Sequence, residues 1–172
     1  ETRTNDLLPQ EDVLARGLGR HEVELLVNHR DPRRAGLLGR AERDLAASEP
    51  VQREALEMRR RLYPGDHEDL AESLNNLGQV VSARGDLPAA IALFREALAM
   101  SRRLYPGDHP RVAGGLNNLS VLLKSSGDLA GAEPLARETL EMRRRLFPGD
   151  HPYVGTGLNN LALILQDRGD IV

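Results

Sequence analysis

The side chains best equipped for chemistry in this chain come in threes. Asp66-His67, Asp108-His109 and Asp150-His151 each set a carboxylate beside an imidazole, the pairing that general-base catalysis or metal binding would use. Asn75, Asn117 and Asn159 each open the Asn-Asn of a Leu-Asn-Asn-Leu run. An amide donates and accepts at once, so it suits binding of a peptide backbone without demanding a sequence. Arg59-Arg60-Arg61, Arg102-Arg103 and Arg143-Arg144-Arg145 are basic clusters that could meet an acidic peptide, a phosphopeptide or a nucleic acid. In every case the copies are 42 residues apart.

That spacing argues against catalysis. Metal ligands must all lie near 2 Å from the ion, whereas helices of successive repeats pack about 8–10 Å apart. The Asp-His pairs are better explained as a turn followed by a helix cap. There is no Ser/His/Asp constellation and no phosphate-binding glycine loop. Gly17-x-Gly19 is too short a match, and His21-Glu22 lacks the second histidine of a metalloprotease helix. The chain therefore reads as a non-enzyme with no catalytic residue, no metal site and no cofactor.

The elements that position these residues follow from the repeat. Residues 86–127 and 128–169 are identical at 24 of 42 positions. A fixed period of this length marks a repeat architecture. Within one unit, Leu70, Leu74, Leu77, Val80 and Val81 form an apolar helical stripe, with Asp66 available to cap it. Gly85 ends that helix in a left-handed cap, and Asp86 caps the next one. The second helix carries Leu87, Ala90, Ile91, Phe94, Ala97 and Leu98, and stops before Tyr105-Pro106-Gly107, a tight turn with glycine at positive φ. Gly78 sits where two helices must approach closely, which would offset the roughly 1 kcal/mol that a mid-helix glycine costs. Each unit is an antiparallel hairpin that must stack on its neighbour to bury both faces. The expected fold is all-α, a right-handed superhelical solenoid of helix hairpins.

Composition agrees. Aromatics are 3% of 172 residues, so Leu, Ala and Val must fill the core. A net charge of −3 with no aromatic stacking platform speaks against nucleic acid. The arginine clusters sit at helix C-termini, where cations are favoured, with Glu57 and Glu141 four residues before Arg61 and Arg145. The chain has no cysteine, which excludes disulfides, and no apolar run long enough to span a bilayer, so no membrane partner is expected. A cytoplasmic location is the default.

The ends are less regular. Residues 1–9 read as a disordered tail and 10–43 as a degenerate helical or capping segment. Residues 44–172 read as the array: a second helix over 44–65, two full units, and a final first-helix near 151–168. Pro50 and Pro134 fall in the first half of second helices. The refrain stops at Asp170-Ile171-Val172, leaving the stripe of Leu158, Leu161 and Leu165 without a partner. That suggests a fragment of a longer array, or cover by another chain through self-association.

The pattern Leu74…Leu77-Gly78…Val81…Gly85…Ala90…Phe94…Ala97 resembles the tetratricopeptide repeat. The 42-residue period, the Leu-Asn-Asn-Leu core and the Pro-Gly-Asp-His-Pro linker are closest to its kinesin light chain type, over about 45–170. The resemblance implies a protein-binding scaffold whose first helices line a concave groove, with Asn75, Asn117 and Asn159 holding a target peptide. On that face lie Glu72, Asn75, Gln79 and Ser82, then Gly114, Asn117, Val121 and Lys124, then Thr156, Asn159, Leu163 and Gln166. The expected ligand is an internal, neutral or mildly basic segment, because Glu72 and Asp167 outnumber Lys124. Asn76, Asn118 and Asn160 are expected to bridge neighbouring helices, and the first asparagines could be structural too. The alternative role is a regulatory or self-association module of a larger kinase, NTPase or protease.

Overall fold

The computed structural model describes the backbone of residues 32–169 and the side chains of 44–169. The expectations for the tail at 1–9, most of 10–43, and 170–172 lie outside the described residues. Within them the chain forms helices α1 (Pro32–Leu62), α2 (Glu68–Ala83), α3 (Leu87–Leu104), α4 (Pro110–Ser125), α5 (Leu129–Leu146) and α6 (Pro152–Arg168), and no strand. Consecutive helices pack against each other along the chain, α2 with α3 and α4 with α5 as hairpins. This is the all-α solenoid anticipated from the repeat.

The turn inside each hairpin follows from two residues. Gly85 and Gly127 adopt φ of +88° and +84°, a region that a side chain would strain. Their amides and those of Asp86 and Asp128 bond back to the last helical turn. Asp86 Oδ1 then accepts the Ala89 N–H at 3.1 Å, and Asp128 Oδ1 accepts that of Gly131 at 2.9 Å. These side chains satisfy helix-start donors that would otherwise lack partners.

The same pair explains a correction. The boundary expected at residues 43 and 44 falls inside α1, a continuous helix of 31 residues. Arg43-Asp44 stands where the later repeats have Gly-Asp. With no glycine to take positive φ, the helix runs on, and it passes through Pro50 as α5 passes through Pro134.

A second correction concerns the first-helix caps. Asp66 does not cap α2; His67 does. Nδ1 of His67 accepts the Asp69 N–H at 3.1 Å, and His109 and His151 accept from Arg111 and Tyr153 at 3.2 Å. Each imidazole is held by stacking on the ring that precedes the Pro-Gly: Tyr63 at 3.6 Å, Tyr105 at 3.9 Å and Phe147 at 4.4 Å between centroids. Gly107 and Gly149 take the expected positive φ in that linker, but Gly65 does not.

The core is a column of small and branched side chains. Leu74, Leu77 and Leu116 are almost fully buried, as are Ala90, Ala97 and Ala132. A Cβ on Gly78 would stand 3.2 Å from the Phe94 ring, so the glycine marks a close approach as expected. One repeat later Ser120 replaces Gly78 and Ala136 replaces Phe94, so the volume moves from one helix to its partner. On α6, Leu158 and Leu163 are exposed, while Leu161 and Leu165 are half-buried.

Candidate functional site

The first helices of the hairpins, α2, α4 and α6, share one face. Two contacts tie α4 to α6. Asn160 Nδ2 donates to Asn117 Oδ1 at 2.9 Å, and Lys124 Nζ lies 2.9 Å from Asp167 Oδ2. The bridging role expected of the second asparagines is therefore seen at Asn160, and it engages the first asparagine of the preceding repeat.

The amide ladder is not uniform. Asn75 is half-buried and donates through Nδ2 to the Ala71 carbonyl at 3.0 Å, while its Oδ1 is buried without a hydrogen-bond partner. Asn117 is half-buried and occupied by Asn160. Asn159 is exposed. Of the other face residues, Glu72, Gln79, Val121, Leu163 and Gln166 are exposed and Ser82 and Gly114 half-buried. Lys124 is committed to Asp167, and exposed Thr156 bonds its own Pro152 carbonyl at 3.1 Å.

Part of that face forms a concavity. A cleft of about 180 Å³ gathers Glu72, Asn75 and Gly114, together with Glu68, Tyr105, Arg111 and Asn118. Gln79, Ser82, Val121, Lys124 and the α6 residues do not line it. Its rim is a charged cluster that helical-face counting overlooks. Glu68 pairs with Arg111 and accepts the Tyr105 hydroxyl at 2.8 Å, which raises the Tyr105 pKa because the phenolate would face a carboxylate. The signal was present in the spacing. Glu68 and Arg111 begin successive first helices, and Tyr105 begins the linker between them.

The arginine clusters are largely consumed by structure. Arg59 donates to the Asp69 carbonyl at 3.2 Å and to Ser73 Oγ. Arg143, buried and with its pKa lowered by burial, donates to the Tyr153 carbonyl at 3.0 Å. Arg102 clamps Glu138 at 2.7 and 2.8 Å. Arg103 and Arg145 grip Asp66 and Asp108 through two bonds each, 2.5–2.9 Å long. Those bonds hold both carboxyls below the ordinary carboxylate range. The glutamates pair at i,i+3, Glu57 with Arg60 and Glu141 with Arg144, rather than with Arg61 and Arg145. In a helix the three-residue step leaves Arg145 free for the linker aspartate, and Arg103 has Ala99 where the glutamate would stand.

Among the described residues no group of three His, Cys, Asp or Glu side chains could hold a metal. No described helix is long and apolar enough to cross a membrane.

Comparison with known proteins agrees with the repeat fold. A family model described as Tetratricopeptide repeat matches residues 31–103, and a second with the same description matches 112–153. No curated protein matches the sequence. Among solved structures, a Podosopora anserina protein described as a kinesin light chain with nearly identical TPR-like repeats aligns over 87% of this chain and 77% of its own. It is 15% identical, with a TM-score of 0.65. BtubC (BKLC) from P. vanneervenii aligns over 96% of this chain and 68% of its own, at 23% identity and a TM-score of 0.66. At such identities these structures speak for the fold.

Proposed function

The chain belongs to the tetratricopeptide-repeat family, and from that premise we propose that it is a non-catalytic scaffold binding an extended protein segment on the α2–α4–α6 face. Repeats of this family imply protein partners. The observation that carries the finer reading is Asn75, which lines the cleft while its Oδ1 is buried without a hydrogen-bond partner. An unpaired buried acceptor costs about 1–3 kcal/mol, and an amide turned outward onto a ligand N–H would recover much of it. Exposed Glu72 beside it favours a neutral or mildly basic segment over an acidic one.

The other face residues extend the track on either side of the cleft: Gln79 and Ser82 on α2, Asn117, Val121 and Lys124 on α4, and Thr156, Asn159 and Gln166 on α6. The test is replacement of Asn75, Asn117 and Asn159 together by alanine. Affinity for peptides selected on the wild-type chain should collapse while helicity and melting stay near wild type. Equal loss of both would show that the asparagines act in folding alone.

A second reading rests on a different observation. Exposed Leu158, with half-buried Leu161 and Leu165 on the same side of α6, leaves an apolar strip, suited to self-association or to a neighbouring domain, as in a regulatory module of a larger signalling enzyme. Sedimentation that stays monomeric up to high concentration, in wild type and Leu158→Glu alike, would dismiss self-association.

A further inference from the structure

The second helices are not equivalent in charge. In α1, Glu49 neutralises Arg53 at 2.7 Å and Glu57 neutralises Arg60 at 3.0 Å. In α5, Glu133 and Glu141 do the same for Arg137 and Arg144, at 2.8 and 3.0 Å. In α3 both glutamate positions are changed, to Ile91 and Ala99, while both arginines remain as Arg95 and Arg102. Arg102 finds Glu138 across the repeat boundary. Arg95 is exposed and has no ion pair or hydrogen bond among the described residues.

These two arginines border a cleft of about 320 Å³ between α3 and α5, floored by α4. Its walls and floor are Leu98, Leu119, Leu123 and Leu135. It shares no lining residue with the Asn75 cleft. An apolar slot flanked by one unpaired and one partly satisfied guanidinium combines two recognition elements. The slot takes an aliphatic or phenyl side chain by desolvation. The guanidiniums take carboxylates, with arginine's planar fork giving direction.

We propose that this cleft is a second docking site, for an acidic protein segment that seats one apolar side chain over Leu98 and Leu135 between carboxylates on Arg95 and Arg102. The arginines are seven residues apart, about 10 Å along the helix. Carboxylates four residues apart in an extended segment lie about 13 Å apart on the same face as the residue midway between them, a span that two flexible arginine side chains can meet. The floor is apolar throughout, which suits a side chain and not a phosphate. The ligand is opposite in charge to the one proposed for the Asn75 cleft, so the two sites would hold different segments.

The experiment uses the whole chain and a fluorescein-labelled probe peptide, Gly-Ser-Glu-Ala-Leu-Ala-Glu-Ser-Gly, read by anisotropy. Saturable binding is expected, lost when the peptide's glutamates become glutamines or its leucine becomes alanine. Arg95→Glu should weaken it by about fivefold or more, the upper range of an exposed ion pair. The double change Ile91→Glu with Ala99→Glu gives α3 the glutamates of α1 and α5; because Ser126 stands where Arg84 and Arg168 pair with Glu49 and Glu133, helicity is measured alongside, and the folded variant should lose binding. Asn75→Ala should leave binding unchanged. The proposal is overturned if no binding is seen, if the double variant binds like wild type, if the alanine peptide binds as well as the leucine one, or if single-stranded nucleic acid displaces the probe.

Discussion

The junction between α2 and α4 and the junction between α4 and α6 are built from the same repeat, yet one is open and the other sealed. At the α4–α6 junction Asn160 reaches Asn117, and Lys124 pairs with Asp167. At the α2–α4 junction the matching residues are Asn118 and Asn75, then Ser82 and Ser125. There Asn75 Oδ1 is left without a partner and a cleft remains. Residues that the repeats hold in common make the helices and their stacking. Residues where they differ decide which junction can receive a ligand.

The strongest way to stress this contrast is to cut the shared framework at each end. Leu74 on α2 is 1% exposed and Leu158, its counterpart on α6, is 46% exposed. Leu74→Ala should cost about 2–5 kcal/mol, as buried leucine truncations do, and Leu158→Ala less than about 1 kcal/mol, measured by urea unfolding. Equal costs would mean that α6 is covered in solution.

Next is the hydrogen bond itself. A double-mutant cycle on Asn117 and Asn160, each to alanine, should give a coupling of about 1 kcal/mol. The same cycle on Asn75 and Asn118 should give almost none. Similar couplings would show that the first junction is sealed too. A smaller effect should follow from transplanting the ion pair. Ser82→Lys with Ser125→Asp should add no more than about 1 kcal/mol of stability, and it should weaken any ligand bound at Asn75.

The smallest contrast is an expected equality. Asp66 and Asp108 both have pKa values lowered, chiefly by hydrogen bonds from Arg103 and Arg145. A carboxyl depressed in the folded state adds stability that is present above its unfolded pKa and lost as pH falls through the folded value. Melting temperature should therefore drop as pH passes below the ordinary carboxylate range, and Asp66→Asn and Asp108→Asn should each flatten that drop to a similar degree. Both carboxylates are solvent-exposed, so the drop should be modest and reduced by salt.

Much of the fold was legible because repetition multiplies each weak local signal. The Gly-Asp turns, the aspartate caps of α3 and α5 and the close approach at Gly78 all follow from residue type and spacing. The N-caps of α2, α4 and α6 were misassigned to aspartate because histidine is an unusual cap. It works here only because a ring two residues before the Gly-Asp-His step holds the imidazole in place. The continuity of α1 was missed by alignment, which matched Asp44 to Asp86 without weighing the lost glycine. The regular spacing of Asn75, Asn117 and Asn159 on successive first helices was legible too. Their different states were not, because those depend on a residue 43 positions away in another helix, as Asn160 is to Asn117. Tyr105 and Arg111 were missed for the same reason, since they reach the cleft from the linker and the next helix.

The central claim is that the unpaired acceptor at Asn75, and not the ladder as a whole, makes the binding site. A peptide library displayed against the full chain would supply a ligand, whose affinity is then measured on Asn75→Ala and Asn117→Ala separately. Loss of a hydrogen bond to a shielded acceptor corresponds to roughly ten- to hundredfold in affinity. The expected result is a loss of that size for Asn75→Ala with little change for Asn117→Ala. Equal losses, or a ligand indifferent to Asn75, would contradict it.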